Sequence, residues 1–150
     1  MQNFKQQLIS ICQELLTQKL NSLQEALNEV TEAGNNETKS TAGDKHETGR
    51  AMMQLEQEKL GKQVQEALNE LENFNKIDFS IKSDKVVLGS LVETDKGLFL
   101  IATSIGKIDA EGRTVFVISN ASPIGKEMMG ISSAAKIVFN GQSYEIKNVI

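Results

Sequence analysis

Asp44 and Glu47 are the residues of this 150-residue chain whose type and spacing could do chemistry. They lie in a polar stretch, Gly34 to Gly49, that separates two long helical patterns. Carboxylates at such a place are positioned to reach something outside the chain, and the stretch alone does not settle what. The same Asp-x-x-Glu before a helix is also a capping box, with Asp44 as the cap and Glu47 bonding back to its amide. Both readings stand at this point. His46, between them, is the sole histidine and reads as a surface residue. With Cys12 the sole cysteine, the chain has no intrachain disulfide, no Cys-based zinc cluster and no His-rich metal site.

The elements that must position the pair follow from apolar spacing. Phe4, Leu8, Ile11 and Leu15 step by four, three and four, and Leu16, Leu20, Leu23, Leu27 and Val30 continue with one phase shift. This predicts a helix from about Asn3 to Ala33, ended by Gly34. Cys12 sits beside the seam as a small packing residue. A second seam, Met53, Leu60, Val64, Ala67, Leu71 and Phe74, begins beyond Asp44. Gly34, Asn35, Asn36 and Gly43 would break one continuous helix, so the pattern predicts an antiparallel hairpin with the polar stretch at its tip. Leu20, Leu23 and Leu27 then face Leu60, Val64 and Ala67, and at about 1.5 Å per residue the second helix spans roughly 40 Å.

From Ile77 the period changes to that of strands. Strands are expected at Ile77–Ile81, Val86–Val92, Leu98–Thr103, Thr114–Ser119, Lys136–Phe139 and Tyr144–Val149, with Asn140-Gly141 as a tight hairpin turn. Ser122 can cap a short helix that opens with Pro123, and Gly130 can end it. The fold class is therefore α+β: a coiled-coil hairpin over residues 1–75, then a small antiparallel β domain with one short helix over residues 76–150.

Composition supports a soluble globular chain, 39% hydrophobic and 24% charged. Residues 1–75 carry 7 Lys/Arg against 12 Asp/Glu, and residues 76–150 carry 9 against 8. An acidic hairpin lacks the basic footprint needed to grip the outside of nucleic acid. The first ten residues show no export signal, and no apolar run approaches a membrane span. The expectation is a cytoplasmic protein with no membrane association.

Three segments resemble the bacterial Gre transcript-cleavage factors, and the resemblance covers nearly the whole chain. Val86-Val87-Leu88-Gly89-Ser90-Leu91-Val92 is similar to the family's first sheet segment with its Gly-Ser pair. Val117 to Gly130 resembles its Ser-Pro-Ile/Leu-Gly-Arg/Lys-Ala-Leu-Leu-Gly signature, here Ser122-Pro123-Ile124-Gly125-Lys126-Glu127-Met128-Met129-Gly130. Tyr144-Glu145-Ile146 resembles its closing strand. The family's tip, Gly-Asp-Leu-Ser-Glu-Asn-Ala-Glu-Tyr, is matched in frame by Gly43 to Ala51, which keeps Asp44 and Glu47. Thr48, Arg50 and Ala51 replace the asparagine, the last glutamate and the tyrosine, and Ala102 to Arg113 lacks the family's Glu-Ala-Asp run.

The resemblance implies an FKBP-like second domain that holds the rim of the secondary channel of RNA polymerase while the hairpin enters it. Asp44 and Glu47 would then be the catalytic and metal-binding residues, acting only with the polymerase-held Mg²⁺. Ser122, Pro123, Lys126 and Met128 would contact the polymerase, and Met129 is a further candidate that could as well be core. The factor would be a monomer with no cofactor of its own and indirect contact with nascent RNA. It would stimulate the polymerase's nuclease activity without having a complete active site. Two alternatives stand beside this: a non-cleaving regulator of the same channel, favoured by Thr48, Arg50 and Ala51, and a coiled-coil scaffold. An FKBP-type isomerase is disfavoured, since residues 77–150 hold no Trp, one Tyr and few Phe.

Overall fold

The structure, a computed structural model, describes residues 1–37 and 43–150, and the side chains of all of these except 36, 37 and 43–46. Helix α1 runs Gln2–Glu37 and helix α2 runs Gly43–Asn75. Six strands follow: β1 Leu91–Thr94, β2 Gly97–Ala102, β3 Gly106–Ala110, β4 Arg113–Ser119, β5 Lys136–Phe139 and β6 Gln142–Val149. A short helix α3, Pro123–Met128, lies between β4 and β5. Two compact units form: residues 13–72, and residues 1–12 together with 73–150. Among the described residues no helix is long and apolar enough to cross a membrane.

The 13–72 unit is the expected antiparallel hairpin. Lys19 on α1 pairs with Glu70 late on α2 at 3.5 Å, while Gly34 near the end of α1 stands beside Met53 and Gln57 early on α2. Leu16, Leu20, Leu60 and Ala67 are buried along the seam, and Leu23, Leu27 and Val64 are partly buried. Two details differ from expectation. Helix α1 does not stop at Gly34 but continues to Glu37, so a glycine sits inside a helix, which costs about 1 kcal/mol against alanine. Leu15 is 42% exposed and Cys12 is fully buried in its place. A straight helix repeats every 3.6 residues, so spacing by four at Leu8, Cys12, Leu16 and Leu20 holds one face through the phase shift.

The other unit is built on a sheet of order β3-β4-β2-β1-β6-β5. It is mostly antiparallel, as expected, with one parallel pair: β2 and β4, Leu98 opposite Val115 and Ala102 opposite Ser119. The cause is β3, which the spacing did not reveal. The chain leaves β2, skips one position, runs back as β3, and returns through the two-residue turn Glu111-Gly112 to place β4 in the gap. Both turn residues have positive φ, 50° and 73°, as do Asn140 and Gly141 at the β5–β6 turn, 51° and 75°. These are the tight hairpin turns whose twist matches that of the strands.

Two expected strands do not form ladders. At Ile77–Ile81 the Phe79 ring packs against Phe74 at 5.2 Å and its carbonyl accepts from the Lys5 ammonium. At Val86–Ser90 a turn intervenes: Ser90 N donates to the Val87 carbonyl, and Ser90 Oγ accepts from Val87 N. Of the expected Val86–Val92 only Leu91 and Val92 enter a ladder, as the start of β1.

One sheet face presents Val92, Phe99, Ile101, Ile137 and Ile146, packed with Val86 and Met128. The opposite face carries buried Leu91, Leu98, Leu100, Val115 and Val117. Phe4, Leu8, Cys12 and Phe74 are the buried apolar residues that α1 and α2 contribute to this unit. Arg113, at the start of β4, sits over the Phe4 ring at 5.2 Å. Burying both faces of β2 gives it a continuous apolar run, Leu98 to Ala102, as parallel pairing requires.

Candidate functional site

The acidic pair lies at the start of α2. The helix begins at Gly43, which puts Asp44 inside the first turn and not at the flanking position a cap occupies. The side chains of Asp44 and His46 lie outside the described residues, as does the whole segment 38–42. Glu47 is described and exposed. Among the described residues no group of three or more His, Cys, Asp or Glu could hold a metal ion. Mg²⁺ takes six oxygens, so two carboxylates would leave its other positions to water, substrate or another molecule.

Further along, the three tip positions that depart from the family pattern are Thr48, Arg50 and Ala51. Thr48 and Ala51 are exposed. Arg50 is also exposed and makes no ion pair among the described residues. It lines a cleft of about 300 Å³ between the helices, with Gly34, Asn35, Met53, Gln54 and Gln57. No spacing rule pointed to this cleft, because its lining comes from two helices and Gly34 was read as a terminator.

The second candidate surface is the segment from Ser119 to Gly130, whose local structure follows from its residues. Ser122 Oγ donates to the Ser119 carbonyl at 2.6 Å and accepts from Gly125 N at 3.1 Å, capping α3 as expected. Pro123 fills the first turn, where its missing N–H costs nothing. A Cβ on Gly125 would stand 2.1 Å from the Ser119 carbonyl oxygen, so only glycine fits beneath the cap. Gly130, with φ 79°, ends the turn, and its N–H donates to Val86.

Of the four expected polymerase contacts, Pro123 and Lys126 are exposed and Ser122 is partly so. Met128 is a correction: it is 0% exposed and belongs to the core with Val92, Phe99 and Ile101. Lying one turn along from Ile124, which also packs against this core, its apolar side chain is turned inward and is not exposed for a partner. Met129 is the partly exposed methionine.

The remaining resemblance segments also have local reasons. Gly89 has φ 95°, and a Cβ there would meet the Asp78 carbonyl oxygen at 2.8 Å. Tyr144 stands edge-on to Phe99 at 6.0 Å, and the Lys96 ammonium lies 5.3 Å from its ring centre.

Titration is perturbed mainly where the helices meet the loops of the sheet unit. Lys5 is buried and donates to the Phe79 carbonyl at 2.7 Å and the Ile150 carbonyl at 2.9 Å. Burial pulls its pKa below the ordinary lysine value, and the Asp78 carboxylate opposes that shift. Asp78 is held below the usual carboxylate range by hydrogen bonds from the Ser80 hydroxyl and amide. Asp95 is lowered by the Glu145 amide. Burial pushes the Cys12 thiol up to about 12, leaving it unreactive.

No family model matches the chain, and no curated protein does. Among solved structures, the chain is similar to that of the transcription factor Gfh1, at 18% identity and a TM-score of 0.39. The match covers 91% of this chain and 92% of that one.

Proposed function

We propose that this protein is a transcription factor that binds bacterial RNA polymerase, its helical hairpin entering the secondary channel. In this reading Asp44 and Glu47 lend carboxylate oxygens to a polymerase-held Mg²⁺ and stimulate the polymerase's own cleavage of backtracked transcripts. The observation that carries it is the order of elements along one chain. An antiparallel hairpin with acidic residues where α2 begins precedes a sheet whose Ser122-capped helix α3 adopts the fold its signature asks for. Lys126 and Pro123, exposed on α3, are the side chains available to hold the channel rim. The net negative hairpin is steered by a basic channel. Bound Mg²⁺ supplies charge for the attacking and leaving oxygens, and this chain's part is to bring two carboxylates within its reach.

Cleavage and mere occupation of the channel differ only at the tip. A non-cleaving regulator is favoured by Arg50, which carries the opposite sign to the family's glutamate and is exposed, with no ion pair among the described residues. The scaffold reading is opposed by Leu16, Leu20, Leu60 and Ala67, which are already buried within one chain.

The test is a stalled, backtracked polymerase complex given the unmodified protein, Asp44→Asn or Glu47→Gln. Both substitutions remove charge and keep shape. Steep loss of cleavage with unchanged polymerase binding supports the metal role. Binding without cleavage by the unmodified protein, across Mg²⁺ concentration and pH, leaves the regulator. No binding to polymerase sinks both.

A further inference from the structure

We infer that the cleft around Arg50 is a binding site for a terminal phosphate group, as carried by pyrophosphate or a nucleoside triphosphate. The chain has two arginines. Arg113 is accounted for, lying over the Phe4 ring and donating to Met1 Sδ. Arg50 has no such employment: it is exposed, makes no ion pair among the described residues, and lines a cleft of about 300 Å³. Among the described residues the rest of the lining is one glycine, one methionine and three amides, Asn35, Gln54 and Gln57, with no carboxylate. That is an unusual lining on a hairpin rich in Asp and Glu.

The floor is open because of Gly34. A helix-interior glycine is unfavourable, and here its missing side chain leaves space in front of Gln57, whose Nε2 lies 3.4 Å from where a Cβ would stand. An amide donor and a guanidinium fork thus line the same small volume. Arginine presents planar paired N–H donors that match phosphate oxygens two at a time, which lysine cannot do. A terminal phosphate offers three oxygens to such a ring of donors, whereas a phosphodiester offers two. The carboxylates elsewhere on the hairpin repel a long polyanion laid along it, so a small oligophosphate suits the cleft better than an RNA backbone. Where such a ligand would be met rests on the channel reading; the binding itself does not.

The experiment is nuclear magnetic resonance titration of the full chain in metal-free buffer. The probes are pyrophosphate, ATP and an RNA trinucleotide lacking terminal phosphates. Saturable shifts of the Arg50 Nε–H and Gln57 Nε2–H resonances are expected with pyrophosphate and ATP, and several-fold weaker binding of the trinucleotide. Arg50→Gln is expected to weaken pyrophosphate binding about tenfold or more, and Arg50→Lys by less, because the charge stays while the fork is lost. Gly34→Ala keeps Arg50 but puts a methyl group on the floor, and is expected to weaken binding several-fold in a protein that is still folded. Absence of shifts at these side chains, or equal binding by Arg50→Gln, overturns the site. Equal binding of the trinucleotide overturns the terminal-phosphate assignment. A polymerase pull-down on the same samples separates the two ideas: intact phosphate shifts without polymerase binding sink the channel reading alone.

Discussion

Lys5 offers the most direct test of how the sheet unit is held together. Its ammonium is removed from water and bridges the carbonyls of Phe79 and Ile150, far apart in sequence. Hydrogen bonds from a charged donor contribute about 1.5–3 kcal/mol each, so the two set a ceiling of about 3–6 kcal/mol. Desolvating the ammonium costs several kcal/mol in return. The net loss expected for Lys5→Ala is therefore about 1–3 kcal/mol. Lys5→Met keeps the apolar stem and removes the buried charge, and it should cost less than Lys5→Ala. The readout is amide exchange at Leu91 and Ile150, which bond to each other's carbonyls in this unit. A pH series adds a sign. The folded pKa of Lys5 lies below its ordinary value of 10.5. Between those two values the unfolded chain binds more protons, so stability rises with pH there. The stability of the unmodified protein relative to Lys5→Met should accordingly grow as pH climbs toward 10.5 and be flat well below that window. If Lys5→Met loses as much as Lys5→Ala, or the relative stability falls as pH rises, the account of a desolvated, carbonyl-bridging ammonium is wrong.

Three further outcomes are expected. Gly34→Ala should raise the thermal stability of the hairpin by about 0.5–1 kcal/mol, because the new methyl makes only ordinary contact with Gln57; calorimetry checks it. Gly125→Ala should destabilise the sheet unit by about 1–3 kcal/mol or more, since the Ser119 carbonyl has to move, and urea unfolding reads the loss. Lys126→Glu should leave the melt unchanged while weakening polymerase capture, whereas Met128→Ala should cost about 2–5 kcal/mol through its core cavity. A Lys126→Glu protein that binds polymerase normally would remove α3 from the rim assignment.

Much of the architecture was legible because it depends on local rules. The hairpin followed from the apolar seams, the β5–β6 turn from Asn140-Gly141, and the start of α3 from Ser122-Pro123. What escaped was long-range. Strand β3 offers only Ile108 and Ala110 as buried residues among Gly106, Lys107 and Asp109, which is too weak an alternation to announce a strand, yet its placement makes β2 and β4 parallel. Gly34 was read as a helix end because a glycine's cost is local, whereas the space it leaves opposite Gln57 is tertiary. The same holds for Met128: the signature names the residue, but only the sheet decides that it points inward. Asp44 and Glu47 were visible as a pair from the sequence, and in the proposed reading their chemistry depends on a partner whose ligands no reading of this chain contains.

The division into two units has a consequence for the order in which the protein can be made. The hairpin, residues 13–72, is continuous, so all its packing partners exist once Glu72 has emerged from the ribosome. The sheet unit joins residues 1–12 to residues 73–150, and its central strand β1 has β6 as a neighbour. Phe4, Leu8 and Cys12, buried in the folded protein, thus belong to a unit that is complete only when residues 73–150 have also been made. Until then a nascent chain carries an apolar helical segment whose unit is incomplete, the kind of exposed segment on which chaperones act and from which misassembly starts.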